Sequence, residues 1–117
     1  MSTMNWFEIP TADFDRAAAF YGAVLAAPLK KEVFGGVPHA VFAGGGGALV
    51  KDGRSPSDDG ALVYFNAVDE RTLEAMMARV AVAGGQLLGD KTSLGPHGWC
   101  AMLRDSEGNR VALHAPV

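Results

Sequence analysis

The sequence is poor in cysteine and in long apolar runs, and each shortage excludes a class of protein. With Cys100 as its only cysteine, the 117-residue chain can form neither an intrachain disulfide nor a cluster of thiolate metal ligands. Cys100 lies in an apolar run, which favours a buried structural thiol over a nucleophile. No apolar stretch approaches the roughly 20 residues that cross a bilayer. No signal-peptide pattern is visible at the N-terminus, so we expect a cytoplasmic protein without a membrane partner.

Clustered positive charge is also missing. The formal net charge is −3 at pH 7, and Lys30-Lys31 is the only adjacent pair of cations. Nucleic-acid-binding domains usually carry a basic patch, so we expect no nucleic-acid partner. The glycines of residues 44–47 are not followed by a helix pattern or by the Lys-Ser/Thr pair of a phosphate-binding loop, and a hairpin turn is the better interpretation.

What the sequence does contain is an internal repeat. Residues 6–13 and 62–69 are both alternating apolar and polar runs, which is typical of half-buried strands. Each run ends at an aspartate, Asp13 or Asp69, that is suited to cap the N-terminus of a following helix. Apolar residues then recur at helical spacing after each aspartate, and they end before Pro28 in one case and before Gly84-Gly85 in the other.

Three shorter strand patterns follow each predicted helix. They cover about 29–34, 38–43 and 47–51 in the first half, and about 86–90, 98–104 and 109–115 in the second. The segment 52–60, rich in Ser, Pro, Asp and Gly, is the predicted linker. The prediction is therefore one α+β domain, residues 1–117, with βαβββ modules at 1–52 and 60–117, whose curved mixed sheets surround a cleft.

The order and spacing of several short motifs resemble the glyoxalase/bleomycin resistance protein/dioxygenase (vicinal oxygen chelate) superfamily, and most closely its branch related to lactoylglutathione lyase. The motifs are Asn5-Trp6-Phe7-Glu8-Ile9-Pro10, Asp13-Phe14-Asp15-Arg16-Ala17, Phe20-Tyr21, Gly84-Gly85, Gly98-Trp99 and Asp105-Ser106-Glu107-Gly108-Asn109-Arg110. The resemblance covers almost the whole chain. It implies the paired-module fold, a small-molecule ligand, and subunits that commonly pair, from which we expect a homodimer.

The resemblance also implies where a metal would be bound. Metal-containing members take two ligands from each module, and the matching places here are Trp6, Ala48, Leu62 and Ala112. None of these side chains offers the imidazole, carboxylate or thiolate that a divalent transition metal requires. The sequence therefore predicts no metal, no other cofactor, and no lactoylglutathione lyase activity.

Strand alternation predicts which polar side chains share a face with those four places. Glu8 shares a face with Trp6, and we predict both as site residues, with Glu8 as a base or as half of an ion pair with Arg110 or Lys51. The other predicted ligand-binding residues are Tyr64, Asn66, Trp99 and Arg110, and His114 is the second candidate catalytic residue. His39 and His97 are predicted to face solvent.

Three functions remain open on this evidence. The first is a metal-independent binding protein for small amphipathic molecules. The second is a lyase or isomerase that uses Glu8 and His114 as acid and base, or as unusual metal ligands. The third is a structural or regulatory partner whose cleft is vestigial.

Overall fold

Both halves of the chain fold in the predicted order, with one added strand. The structure is a computed structural model and describes residues 4–117. The first half contains β1 (Phe7–Pro10), α1 (Phe14–Val24), β2 (Lys30–Phe34), β3 (Val37–Val41) and β4 (Gly47–Val50). The second contains β5 (Tyr64–Asn66), α2 (Glu70–Ala83), β6 (Gln86–Leu87), β7 (Thr92–Ser93), β8 (Trp99–Arg104) and β9 (Arg110–Ala115), with a 3₁₀ turn at Gly95–His97.

The two halves build sheets of the same topology. The first sheet has the order β1-β4-β3-β2, and β1 is parallel to β4 while the other pairs are antiparallel. The second has the order β5-β9-β8-β6, with β5 parallel to β9 and the short β7 also paired with β8. The prediction of an α+β fold with two mixed sheets is therefore confirmed, and both sheets are open.

Helix capping follows the sequence closely. The carboxylate of Asp13 accepts a hydrogen bond from the Arg16 N–H at 3.0 Å, and that of Asp69 accepts one from the Thr72 N–H at 2.7 Å. The second helix ends at Gly84, whose φ of 109° is the left-handed conformation that glycine adopts readily. The first helix ends earlier than Pro28 suggested, because the chain already turns out of the helix at Ala26, where φ is 54°. Neither helix within residues 4–117 is long and apolar enough to cross a membrane.

The second strand of the second module was predicted too long. Residues 86–90 were expected to form it, but β6 ends at Leu87. Gly89 has a φ of 143°, which lies outside the extended conformation of a strand. The chain then returns to β8 through β7, an addition that periodicity alone could not indicate because it has only two residues.

The core lies between the helices and one face of each sheet. Its centre is an aromatic group to which both modules contribute: the ring centroid of Phe42 is 5.1 Å from that of Phe65 and 5.4 Å from that of Tyr21. Aromatic pairs at such distances stabilise beyond their buried area. Cys100 is buried, as predicted.

The turn between β8 and β9 fastens the two modules together. The hydroxyl of Tyr21 donates to the carboxylate of Asp105 at 2.6 Å, and the side-chain amide of Asn109 donates to the carbonyl of Pro10 at 2.9 Å. Glu107 accepts hydrogen bonds from the backbone N–H groups of Ala12 and Asp13, at 2.9 and 2.6 Å. This turn therefore holds the end of β1 and the start of α1, and its motif has a structural role.

Candidate functional site

One face of each sheet points away from the helices, and we call the two together the site face. In the first sheet Glu8 lies beside Ala48, and in the second Tyr64 lies beside Ala112 and Asn66 beside His114. Directly opposed residues on adjacent strands point to the same side of a sheet. The alternate residues of these strands belong to the core against the helices. The predicted grouping of side chains by face is thus confirmed within each sheet.

On the site face two small residues are fully buried, whereas two aromatic residues are exposed. Ala48 and Ala112 are 0% exposed, yet neither belongs to the core cluster under the helices. Trp6 and Tyr64 are 46% and 47% exposed. Exposed aromatic side chains offer apolar contact area to a ligand.

Glu8 accepts two hydrogen bonds on the site face and lies beside a histidine ring. Its carboxylate accepts from Arg54 Nη2 at 2.7 Å and from the indole Nε1 of Trp6 at 3.3 Å, and it lies 3.3 Å from Nε2 of His39. The predicted partners Arg110 and Lys51 are therefore wrong. The cation comes from the linker, where the Arg54 Nε also donates to the Asp52 carboxylate at 2.7 Å. The Asp52-Gly53-Arg54 turn is the local signal that could have indicated it.

His39 is the second residue that the sequence placed wrongly. It was expected to face solvent, but it is only 8% exposed, and its ring packs edge-on against Phe34 at 4.8 Å between centroids. The other ring nitrogen, Nδ1, lies 2.8 Å from the carbonyl of Val37. Both nitrogens of His39 thus have oxygen neighbours, so this ring orients Glu8 and has no free nitrogen for a ligand. His97 is exposed, as predicted.

The pKa of Glu8 lies below its ordinary value. Partial burial would raise the pKa of this carboxyl, but the hydrogen bonds from Arg54, Trp6 and His39, together with the charge of Arg54, outweigh burial. A carboxylate that serves as a general base near neutral pH needs a raised pKa. The lowered pKa keeps the carboxylate ionised and weakens it as a base.

On the second sheet His114 makes a different contact. Its Nε2 lies 2.7 Å from the carbonyl of His97, so Nε2 carries the hydrogen and Nδ1 is left as an acceptor. Among the contacts of residues 4–117 none joins His114 to Glu8, so the two candidate catalytic residues have separate partners. The side-chain Oδ1 of Asn66 accepts a hydrogen bond from the backbone N–H of Val68 at 2.8 Å. Trp99 is partly buried, and the Lys91 ammonium lies 4.7 Å from its ring centroid.

Two neighbouring pockets connect the remaining predicted residues. One, of about 260 Å³, is bordered by Glu8 and Arg110 together with linker residues 57, 60 and 61. The other, of about 390 Å³, is bordered by Tyr64 and Asn66. Phe7 and Val63 border both pockets. Glu8 and Arg110 therefore meet at one pocket, as opposite charges that are not paired with each other.

The residues present do not fit the metal that the family resemblance implies. Trp6, Ala48, Leu62 and Ala112 have no donor atom of the kind that binds a divalent transition metal. Within residues 4–117 no three His, Cys, Asp or Glu side chains are grouped so that they could hold an ion. Glu8 and His39 alone provide two donors, and both are engaged with other groups.

Comparisons with a family profile and with a curated protein point to the same family. The profile of the Glyoxalase/Bleomycin resistance protein/Dioxygenase superfamily matches residues 3–113. A glyoxylase-like domain-containing protein of Didymella fabae is 31% identical over 119 aligned residues, covering 94% of this chain and 91% of that protein.

Solved structures show the same fold. A glyoxalase/bleomycin resistance protein from Albidiferax ferrireducens T118 superposes with a TM-score of 0.79 at 18% identity, covering 99% of this chain and 100% of that one. The fosfomycin resistance protein FosX of Listeria monocytogenes superposes with a TM-score of 0.76 at 12% identity, covering 100% and 95%. By its profile match and its curated relative, the chain belongs to the glyoxalase/bleomycin resistance protein/dioxygenase superfamily.

Proposed function

We propose that this chain is a metal-independent, cytoplasmic protein that binds small amphipathic molecules on its site face. The observation that carries the proposal is the exposure of two aromatic side chains on this face, Trp6 at 46% and Tyr64 at 47%. Ala48 and Ala112, at the places where the family resemblance implies metal ligands, offer no donor atom. Ligand sites are commonly apolar surfaces with a few convergent polar groups, and Glu8 and Arg110 supply such groups at the adjoining pocket.

The names of structurally similar proteins agree in one respect. They refer to bleomycin and fosfomycin resistance, that is, to proteins concerned with small molecules. At 12–18% identity these likenesses carry the fold alone, and fold does not determine the ligand. We therefore take from them only the general class of a small organic molecule.

A fragment screen tests the proposal directly. Uniformly ¹⁵N-labelled protein is titrated with small aromatic amphiphiles, before and after treatment with EDTA, and the indole N–H signals of Trp6 and Trp99 are followed by NMR. Fragments that bind should shift the Trp6 indole signal. Their affinity should be the same before and after EDTA treatment. Trp6→Ala and Tyr64→Ala should each weaken binding by about tenfold or more, since aromatic anchors dominate such contacts.

The matched control is Val82→Ala, which removes an exposed apolar side chain from α2, away from the site face. It should leave all affinities unchanged. Binding that appears only when a transition metal is added would refute metal independence. Shifts confined to residues outside the site face would refute the location.

The second candidate is a lyase or isomerase, and one observation favours it. The contact between Nε2 of His114 and the His97 carbonyl leaves Nδ1 with a lone pair on the site face, an arrangement that suits a general base. Glu8 is the weaker candidate, because its lowered pKa and the hydrogen bonds that it accepts from Arg54 and Trp6 oppose proton abstraction. Turnover of any fragment that is lost in His114→Gln and retained in Glu8→Gln would support this alternative.

A further inference from the structure

We propose that the ligand carries a cationic group, and that the linker residue Arg54 occupies the place of this group in the ligand-free protein. The inference rests on the proposed function, because it names the class of molecule that the site face takes. It starts from the Glu8 cluster, defined as Trp6, Glu8, Phe34, His39, Asp52 and Arg54.

The charge of the Glu8 cluster favours a cation. The carboxylates of Glu8 and Asp52 share one guanidinium, with Arg54 Nη2 at 2.7 Å from Glu8 and 2.6 Å from Asp52. Two carboxylates and one guanidinium leave a formal excess of negative charge while the His39 ring is neutral. The lowered pKa values of both carboxyl groups keep these charges present at neutral pH.

The surroundings of Glu8 suit an organic cation. Trp6 and Phe34 are each 46% exposed, so both ring systems can be reached from solvent. Trp6 donates its indole N–H to Glu8, and Phe34 packs against His39, which also contacts Glu8. A carboxylate flanked by accessible aromatic rings is a favourable setting for an ammonium or guanidinium group.

Arg54 is attached in a way that permits replacement. It belongs to the linker between β4 and β5, its side chain is 54% exposed, and the Glu8 side chain is 30% exposed. Exposed ion pairs contribute little to stability, so a ligand that supplies its own cation displaces Arg54 at small cost. The Arg54 side-chain Nε and the Arg54 backbone N–H both donate to the Asp52 carboxylate. These two hydrogen bonds lie within the turn, so Arg54 can keep them when its side chain leaves Glu8.

The test uses benzyltrimethylammonium as the cationic probe, with benzenesulfonate as its anionic and benzyl alcohol as its neutral counterpart. Each is titrated into ¹⁵N-labelled protein, and the Trp6 indole N–H is followed. We expect the cation to bind best. Arg54→Gln should tighten its binding by about fivefold, the effect of removing a competitor held by an exposed ion pair. Glu8→Gln should weaken it by about tenfold or more.

The control is Arg104→Gln, which removes a different arginine that pairs with the same linker, at Asp58. It should not change the affinity for the cation. Weaker or unchanged cation binding in Arg54→Gln overturns the proposal, and so does a Trp6 signal that none of the three probes shifts. If benzenesulfonate shifts Trp6 more strongly than the cation does, the ligand class is wrong while binding on the site face stands.

Discussion

The Glu107→Gln substitution tests whether the β8–β9 turn stabilises the fold through its contacts with the start of α1. The Glu107 side chain is 0% exposed and accepts four hydrogen bonds from the start of α1. Two come from the N–H groups of Ala12 and Asp13, and two come from Arg16, by Nε at 2.8 Å and Nη2 at 3.1 Å. Glutamine keeps the size of the side chain, but it replaces one acceptor oxygen with an NH₂ group.

The expected loss follows from these contacts. Hydrogen bonds to a charged group are worth about 1.5–3 kcal/mol each, but Arg16 is 54% exposed, so its share is small. What remains is the loss of charge beside two backbone donors, one of which then faces an amide nitrogen. We expect a loss of about 2–3 kcal/mol in the free energy of unfolding, or about 10 °C in the melting temperature for a domain of this size.

The dependence on pH provides an independent check. Burial would raise the pKa of Glu107, but hydrogen bonds from Arg16, the Asp13 N–H and Ser106 outweigh it and hold the pKa below its ordinary value. A lowered pKa gives stability that is present above the unfolded-state pKa of about 4.3 and is lost as the pH falls through the folded-state pKa. The difference between wild type and Glu107→Gln should therefore be largest near neutral pH and should narrow below about pH 4.

Urea unfolding at several pH values measures this difference, with Arg16→Gln as the matched control. The control removes only the half-exposed partner and should cost less than about 1 kcal/mol. A Glu107→Gln protein as stable as wild type at pH 7, or a difference that widens toward low pH, would contradict the structural role. Ligand affinity should be unchanged in both variants, because neither residue borders the site face.

Four further outcomes are expected. Glu8→Gln should lower stability by less than about 1 kcal/mol, because its ion pair is exposed; a larger loss in urea unfolding would assign Glu8 a structural role. Burial raises the pKa of Tyr21, so stability should decline above about pH 10, and Tyr21→Phe should reduce that decline; an unaltered decline refutes this. Elemental analysis should find no stoichiometric zinc, nickel, iron or manganese. Sedimentation should show a homodimer, since edge strand β2 exposes Val33, whereas a clean 12.2 kDa monomer would refute this.

The fold could be predicted from the sequence because short local patterns in both modules indicate the helices and strands. Asp13 and Asp69 cap their helices through contacts only three residues away. Alternation of period two fixes which strand residues share a face, and this alone grouped Tyr64 with Asn66 correctly. The β7 strand was missed because its stability comes from pairing with β8 and leaves no pattern in two residues.

The partners of Glu8 could not be predicted from local patterns. Alternation states the face of a side chain but not its distance to groups on other segments, and Arg54 lies 46 residues away in a linker without periodicity. Arg110 was chosen as partner because it shares a predicted face, and it does reach the same pocket. His39 was placed in solvent because strand position alone does not reveal that Phe34 packs on its ring.

The loss of chelating residues and the position of Arg54 are connected through the first sheet. Ala48 lies directly beside Glu8 in the register of β1 and β4. A carboxylate at Ala48 would set two like charges a few ångströms apart, and such a pair requires a cation between them. With alanine there, the charge of Glu8 needs only one positive partner, and the linker provides it in Arg54. The organic cation that we propose for this face would therefore replace Arg54 at Glu8, beside an alanine that offers no donor atom to a metal ion.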